Sequence, residues 1–204
     1  RIDDSSLPSK LLISNDVEEA DTISRKLILL NEKRKLIENM VFNDALLQAE
    51  KQKENQFILV HGKDWHNGVL GIVASRLISK FYKPTIVISF INRIGIGSAR
   101  SITSVDLGNI ILNAKHEGHL LGGGGHRMAA GLQINKNELE NFNNYLKINI
   151  NNLSKEFFKK IENFDSNISV NEINNDLLDI IDKLEPFGSG NPEPKFVIKD
   201  LKIE

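Results

Sequence analysis

The most informative stretch of the sequence is Gly122-Gly123-Gly124-Gly125-His126-Arg127-Met128-Ala129-Ala130-Gly131. Four consecutive glycines carry no Cβ, so the backbone has unusual conformational freedom and a ligand can approach it closely. A histidine and an arginine follow at once, and a run of small residues then permits tight packing. Bare backbone beside a titratable ring and a cation suits a phosphate-bearing ligand. The alternative is an ordinary surface loop with a histidine next to it.

The glycine run does not match the common phosphate-binding motifs. No Gly-Lys-Ser/Thr follows it, as a P-loop requires, and it lacks the helix-opening pattern and the distant acid of a dinucleotide-binding fold. We expect the glycines to form a turn, with residues 129–134 as a strand after it.

Composition excludes several classes of site. The 204 residues include no cysteine, so disulfides, thiolate metal sites and cysteine nucleophiles are absent. No apolar run of 18 residues and no signal peptide are present, which predicts a soluble cytoplasmic protein without a membrane span. Arg1 at the start, and an end on Leu201-Lys202-Ile203-Glu204, suggest a fragment.

Charge is unevenly distributed along the chain, although the net charge is only -1. Residues 61–134 carry 8 basic and 3 acidic side chains, together with all five histidines. The segments on either side are net acidic. A basic segment that contains every histidine, inside a nearly neutral chain, indicates a local anion site.

Apolar periodicity predicts an α/β fold. Residues 1–13 look like a strand or loop end. A long helix is expected over residues 16–54, with Ser14, Asn15 and Asp16 as possible caps, because apolar residues recur near a period of 3.6 and no Gly or Pro interrupts it. Two helices with a break near Asn31 are the alternative.

Strands and helices then alternate, which favours a largely parallel or mixed sheet. Strands are expected at 57–61, 85–90, 96–102 and 129–134. Helices are expected at 69–81, after a cap at Asp106, and from a cap at Asn137 to about residue 160. A short helix capped near Asn174 and a strand around 196–203 end the chain.

Several residues in the basic segment are candidate ligands for a phosphate or a nucleic acid. Trp65 and His66 follow a strand end, where they would form a stacking or positioning surface; a buried Trp65 at the core edge is the alternative. Arg100 lies between Ser98 and Ser101, and its guanidinium suits phosphate; a salt bridge to Asp106 is the alternative.

Two further features are weaker candidates. Arg76 lies on a predicted helix, where we favour a structural or peripheral role over a ligand contact. His116 and His119 are spaced for two metal ligands at most, so we favour a loop or helix-end role over a zinc site. The sequence also lacks a cluster of aspartates that could hold two catalytic metals.

Four segments together resemble the C-terminal part of the RecJ family, the single-strand-specific exonucleases of the DHH phosphoesterase superfamily. They span Trp65–Arg76, Gly97–Ser101, Gly124–Gly131 and Leu184–Pro194. The third of them also occurs in other proteins of the superfamily, and the last one favours RecJ.

The resemblance implies a domain layout. Residues 1–15 would be the tail of a DHH catalytic domain, and 16–54 an interdomain helix. Residues 55–150 would be a mixed-sheet DHH-associated domain that binds substrate, 151–166 a linker, and 167–204 the start of an OB-like β domain.

The resemblance also implies a function. The full enzyme would be a 5′→3′ exonuclease using Mn²⁺ or Mg²⁺, whose ligands are not in this chain. His126 would be catalytic. Phosphate or strand contacts would come from Ser98, Arg100, Ser101, Gly124, Gly125, His126, Trp65, His66 and Arg76. Gly122 and Gly123 precede the usual pair of glycines, which leaves the geometry of the turn open.

The expected partners are single-stranded DNA and a single-strand-binding protein, with the chain a monomer. Two other functions stay open. One is a non-catalytic module that binds single-stranded nucleic acid. The other is part of a small DHH phosphodiesterase acting on oligoribonucleotides or cyclic dinucleotides.

Overall fold

The computed structural model describes residues 6–201, which form two compact units, residues 6–159 and 160–201. The first unit begins with helix α1 (Leu7–Ile13), where the sequence predicted a strand or loop end. Pro8 occupies the first turn of α1, a position where the missing N–H of proline breaks no helical hydrogen bond. Residues 1–5 of that predicted segment lie outside the described residues.

Helix α2 (Val17–Glu50) is continuous over 34 residues, about 51 Å at 1.5 Å per residue. The carboxylate of Asp16 caps it, with Oδ1 accepting from the backbone N–H of Glu18 at 2.9 Å and of Glu19 at 3.2 Å. The prediction of one long helix is therefore confirmed. No break occurs near Asn31, whose side chain accepts a hydrogen bond from Arg34 instead.

A five-stranded mixed sheet forms the centre of the first unit. In chain order its strands are β1 (Ile58–Lys63), β2 (Thr85–Ile91), β3 (Ile94–Arg100), β4 (Gly122–His126) and β5 (Ala129–Asn135), arranged as β1-β2-β3-β5-β4. Only β1 and β2 are parallel, joined through helix α3 (Asn67–Phe81); the other pairs are antiparallel. The mixed sheet is as predicted.

The glycine run is a strand, which corrects the predicted turn. It pairs with β5 from Gly122 opposite Gln133 to His126 opposite Ala129, and the turn is formed by Arg127 and Met128. Glycine is a poor strand former. The strand forms here because its pairing with β5 satisfies the backbone and because two of the glycines face neighbours that leave no room for a Cβ.

Helices cover the two faces of the sheet unequally. Helices α4 (Leu107–His116) and α5 (Leu139–Ile150) pack on one face, around Ile86, Leu132 and Ile134. On the other face, α3 and α2 pack over β1 and β2 around Val60 and Val87. Because α3 reaches only as far as β3, the same face of β5 and β4 is left open.

Two helix boundaries around the sheet were predicted with different success. Asp106 caps α4 as predicted, its Oδ1 accepting from Asn109 N–H at 3.0 Å. Asn135, not Asn137, caps the short 3-10 turn Lys136–Glu138 that leads into α5. Helix α5 ends at Ile150 and not near residue 160, and residues 151–158 contact the same unit, for example through Ser104 Oγ, which donates to Phe157 O at 2.5 Å.

Two glutamines, Gln48 of α2 and Gln52 in the turn just after it, satisfy the free edge of β1. The Gln48 amide donates to His61 O at 2.8 Å and accepts from His61 N–H at 3.1 Å. One helical turn later, Gln52 makes the same pair of bonds with Leu59, at 2.8 and 3.1 Å. These side chains replace a sixth strand, which fixes α2 on the sheet and protects that edge from pairing with another chain.

The second unit contains a small parallel pair, β6 (Ser166–Asn167) and β7 (Phe196–Val197), and helix α6 (Asn175–Asp182). Asn174 caps α6 as predicted, accepting from Leu177 N–H at 2.9 Å. The amide of Asn191 holds the proline-rich loop by donating to Leu184 O at 2.8 Å and Pro186 O at 3.1 Å. Of the strand predicted around 196–203, residues 196–197 form β7, and residues 202–203 lie outside the described residues.

Candidate phosphate-binding surface

Two rows of residues cross the open part of the sheet. In the first row Ser98, Gly131 and Gly124 lie side by side on β3, β5 and β4. The next row in the same register is Arg100, Ala129 and His126. Residues two apart on a strand share a face, so all six lie on one face. We call these six residues the open patch.

The four glycines alternate between two roles. A Cβ on Gly123 would lie 2.9 Å from Ile111 Cγ2 of α4, and one on Gly125 would lie 2.5 Å from Ala130 Cα. A Cβ on Gly124 would meet nothing within 4 Å, and on Gly131 the nearest atom is Gly97 O at 4.0 Å. Packing thus explains glycine at 123 and 125, whereas Gly124 and Gly131 leave bare backbone that faces outward.

The guanidinium of Arg100 is positioned by its own strand and by α3. Its Nη1 donates to Ala99 O at 2.9 Å and to Ser98 Oγ at 3.3 Å. Gly71 of α3 lies directly beside it: a Cβ there would be 2.8 Å from Arg100 Nη2 and 3.1 Å from Ser98 Oγ. A side chain larger than that of glycine at position 71 would therefore displace the guanidinium of Arg100.

The positive charge of Arg100 is not neutralised by the protein part that the structure describes. The predicted alternative partner, Asp106, uses both carboxylate oxygens on Asn109 of α4. Within residues 6–201, no carboxylate lies within ion-pair distance of Arg100. A fixed, unpaired guanidinium at a half-open position is suited to a planar anion such as phosphate.

His126 ends β4 at the edge of the open patch, and its side chain is exposed. Its backbone packs against the first turn of α4, where a Cβ on Gly108 would come within 2.7 Å of His126 C and O. Leu107 N–H also donates to Arg127 O at 3.2 Å, and Arg127 Nε donates to Thr103 O at 3.1 Å. The hairpin turn is therefore fixed to α4, which holds the imidazole at the rim of the patch.

Two predicted ligands are used inside the fold. The Ser101 side chain is buried, and its Oγ donates to Val105 O at 2.7 Å, which closes the turn before α4. The indole of Trp65 is also buried, against the Cα of Gly62, and Trp65 O accepts from Ser89 Oγ at 2.6 Å. Neither side chain is placed to contact a ligand on the surface. Trp65 therefore fits the alternative interpretation, in which its ring is buried at the edge of the core.

His66 and Arg76 also have structural partners. His66 Nδ1 accepts from Gly68 N–H at 3.0 Å, so the ring caps the N-terminus of α3. Arg76 Nη1 donates to Glu38 Oε1 at 3.1 Å and Asn39 Oδ1 at 2.8 Å, and the guanidinium stacks 3.8 Å above the Phe42 ring. Arg76 therefore links α3 to α2 and lies outside the open patch, as its structural alternative predicts.

Sequence reasoning did not select Gly71 and Gly131 as site residues, although both lie in motifs that it quoted. Gly131 lies opposite Gly124 in the first row, and Gly71 supports Arg100. The spacing of Gly68 and Gly71 could have indicated the role of Gly71. It places two small residues one turn apart on a helix that begins just after a strand. Their role becomes evident only from the register of the sheet.

Among the described residues, His116 and His119 are not part of a group of three possible metal ligands. His119 Nε2 lies 3.8 Å from Glu117 Oε2, and its ring contacts Tyr145 at 5.0 Å between centroids. In residues 6–201, no three His, Asp or Glu side chains come together as a metal ion would require. Across the same residues, no helix combines the length and apolar character needed to span a membrane.

Comparison with known proteins identifies two matched regions. Residues 54–162 match the family model described as the DHHA1 domain, and residues 164–204 match the RecJ OB domain. The chain is 31% identical over 208 residues to the single-stranded-DNA-specific exonuclease RecJ of Bacillus subtilis, covering 100% of this chain and 26% of that protein.

Solved structures agree with this match. RecJ of Thermus thermophilus in complex with Mg²⁺ superposes with a TM-score of 0.83 at 26% identity, covering 94% of this chain and 29% of that one. The Mn²⁺ complex of the same protein gives a TM-score of 0.83 at 25% identity, covering 95% and 28%. The chain thus spans less than a third of the length of each of these two relatives.

Proposed function

Because the chain belongs to the DHHA1 domain family and also matches the RecJ OB domain, we propose that it is the substrate-binding part of a metal-dependent 5′→3′ exonuclease. The complete enzyme hydrolyses phosphodiester bonds in single-stranded DNA during DNA repair and recombination. The relative from B. subtilis is named a single-stranded-DNA-specific exonuclease, which supports this substrate.

The observation that carries the proposal is the open patch itself. Bare backbone at Gly124 and Gly131 lets the sugar–phosphate chain come close, and Ser98 supplies a hydroxyl beside it. Arg100 neutralises phosphate charge with a guanidinium that no described carboxylate pairs. His126, at the rim, orients or protonates a phosphate oxygen, which is the catalytic role we assign to it.

Divalent ions do not fit the described part of this chain. Mg²⁺ and Mn²⁺ need several oxygen or nitrogen ligands, and residues 6–201 bring no three such side chains together. The two T. thermophilus structures hold Mg²⁺ and Mn²⁺ in a protein that extends far beyond the matched region. We therefore propose that Mn²⁺ or Mg²⁺ binds in a catalytic domain outside these 204 residues, and that this chain alone is inactive.

The remaining parts of the proposal concern partners and place. We propose a cytoplasmic monomer that acts on single-stranded DNA and works with a single-strand-binding protein. A non-catalytic nucleic-acid-binding module would use the same patch. If the complete protein has nuclease activity and Arg100→Ala lowers it, the patch belongs to an exonuclease and not to such a module. A small phosphodiesterase for oligoribonucleotides or cyclic dinucleotides is disfavoured by the RecJ OB match.

The test is binding of single-stranded DNA to the 204-residue chain, measured by fluorescence anisotropy over a salt series with a 5′-phosphate or a 5′-hydroxyl. Arg100→Ala should weaken binding about tenfold or more and reduce the salt slope by about one. Arg25→Ala is the matched control, because Arg25 lies on α2, is 77% exposed and pairs only with Asp21 in the described structure. Equal losses in the two variants would exclude the patch as the phosphate site.

A further inference from the structure

We propose that three isoleucines beside the open patch form a surface that holds the nucleobase next to the bound phosphate. This inference rests on the proposed function and adds a contact to it. The three residues, which we call the isoleucine ridge, are Ile91 on β2 and Ile94 and Ile96 on β3.

The ridge continues the rows of the open patch on the same face of the sheet. The row next to Ser98 contains Ile96, opposite Gln133 of β5, which in turn faces Gly122 of β4. In the row after that, Ile94 lies between Ile91 and Asn135. Moving from Ser98 to Ile96 is a step of two residues along one strand, about 7 Å, so the two sites are neighbours.

The three isoleucines of the ridge are exposed to solvent, whereas the opposite face of the sheet is buried in the core. Ile91 is 53%, Ile94 36% and Ile96 42% exposed. Strand propensity explains why isoleucine occurs on β3. It does not explain three adjacent exposed isoleucines, because single exposed apolar residues are ordinary on a protein surface and contiguous ones mark a binding surface.

Charge favours a nucleic acid over a protein as the occupant. Strands β2 to β5 contain no Asp or Glu, and the cations and donors of the patch lie at the end of β3 that follows the ridge. A single strand offers an acidic phosphate and an apolar base face within one nucleotide. The patch and the ridge present the complementary pair of surfaces in adjacent rows.

The contact should depend little on base identity. Aliphatic side chains contact the flat face that every base has, in the way that aromatic side chains do in other single-strand-binding proteins. Gln133 has an amide that can donate to or accept from whichever base edge is presented. The ridge thus adds affinity for single strands with unpaired, unstacked bases without reading their sequence.

The experiment compares two 5′-phosphorylated oligothymidylates, one intact and one with abasic sites at its terminal nucleotides. Anisotropy titrations use the 204-residue chain, Ile96→Thr and the control Ile148→Thr. Threonine keeps the β-branch that suits a strand. Ile148 lies on α5, on the opposite face of the sheet, and is 66% exposed. Melting temperatures confirm that each variant is folded.

We expect the wild type to bind the intact strand roughly threefold to tenfold more tightly than the abasic strand. Ile96→Thr should remove most of that preference and leave the abasic affinity unchanged, and Ile148→Thr should change neither. Equal binding of the two strands by the wild type would overturn this inference alone, as would an Ile96→Thr loss that is the same for both strands. If the chain binds neither strand, the proposed function fails as well.

Discussion

Neighbouring glycines on β4 should respond in opposite ways to the same substitution. Gly124→Ala places a methyl group on the outward face, where no atom lies within 4 Å. Gly125→Ala places it on the inward face, 2.5 Å from Ala130 Cα, 2.8 Å from Ala130 Cβ and closer still to Ala129 O. Two of these atoms belong to the backbone of β5, so the strands themselves have to move apart.

The difference in stability can be estimated from these contacts. Alanine at 124 restricts the unfolded chain without strain in the folded one, and it should raise the free energy of unfolding by up to about 1 kcal/mol. Alanine at 125 is forced against Ala129 and Ala130 of the paired strand, and overpacking of this kind typically costs about 1–3 kcal/mol. In a unit of this size 1 kcal/mol corresponds to roughly 2–4 °C in melting temperature.

Binding should follow the opposite order at Gly124. The added methyl group stands on the bare backbone between Ser98 and the edge of β4, where the proposed phosphate approaches, so we expect about tenfold weaker binding of single-stranded DNA. Circular dichroism melts and anisotropy titrations on the two variants measure both quantities. Wild-type affinity in Gly124→Ala would refute close approach at the patch. Wild-type stability in Gly125→Ala would refute the alternating roles of the glycines.

Three other substitutions test the surroundings of the patch. Gly71→Ala should raise the helix stability of α3 by roughly 0.5–1 kcal/mol yet weaken single-strand binding, because its Cβ displaces the guanidinium of Arg100; unchanged binding would show that Arg100 is not held by this contact. Glu38→Gln should lower the melting temperature by several degrees, since Glu38 is buried between Arg34 and Arg76, whereas a surface pair would contribute little. Burial, and secondarily Lys136, lower the pKa of His61 below its usual value, so the unfolded chain binds more protons than the folded one. The free energy of unfolding should therefore fall as the pH drops below about 6.5. The melting temperature of His61→Asn should fall less than that of the wild type over the same pH range.

Local sequence was sufficient for the parts of the fold that depend on near neighbours. The apolar period of α2 can be read directly from the order of its residues. The helix caps follow from side chains that bond to a backbone N–H three residues later, and these are Asp16, Asp106 and Asn174. The succession of strands and helices also indicated a mixed α/β sheet. The selection of the basic segment and of Arg100 as an anion site stays a prediction, and it follows from charge, which is a property of composition.

Selection among the candidate ligands required knowledge of distant partners. Ser101, Trp65 and Arg76 have the chemistry of ligands, but their polar groups or rings are used by Val105, Gly62 and Glu38. Arg76 and Glu38 are far apart in the chain, and no local pattern announces their ion pair. The glutamine contacts to β1 were missed for the same reason.

The glycine run shows the limit most clearly. Four identical residues contain no information about which of them faces solvent, so the sequence could indicate only that backbone is exposed somewhere between 122 and 125. Pairing with β5 imposes an alternation of faces. On one face, the contact with Ile111 of α4 constrains Gly123, and the close approach of Ala129 and Ala130 of β5 constrains Gly125. Gly124 is left open beside Gly131 and Ser98, because register and layer packing are properties of the folded sheet and not of any single strand.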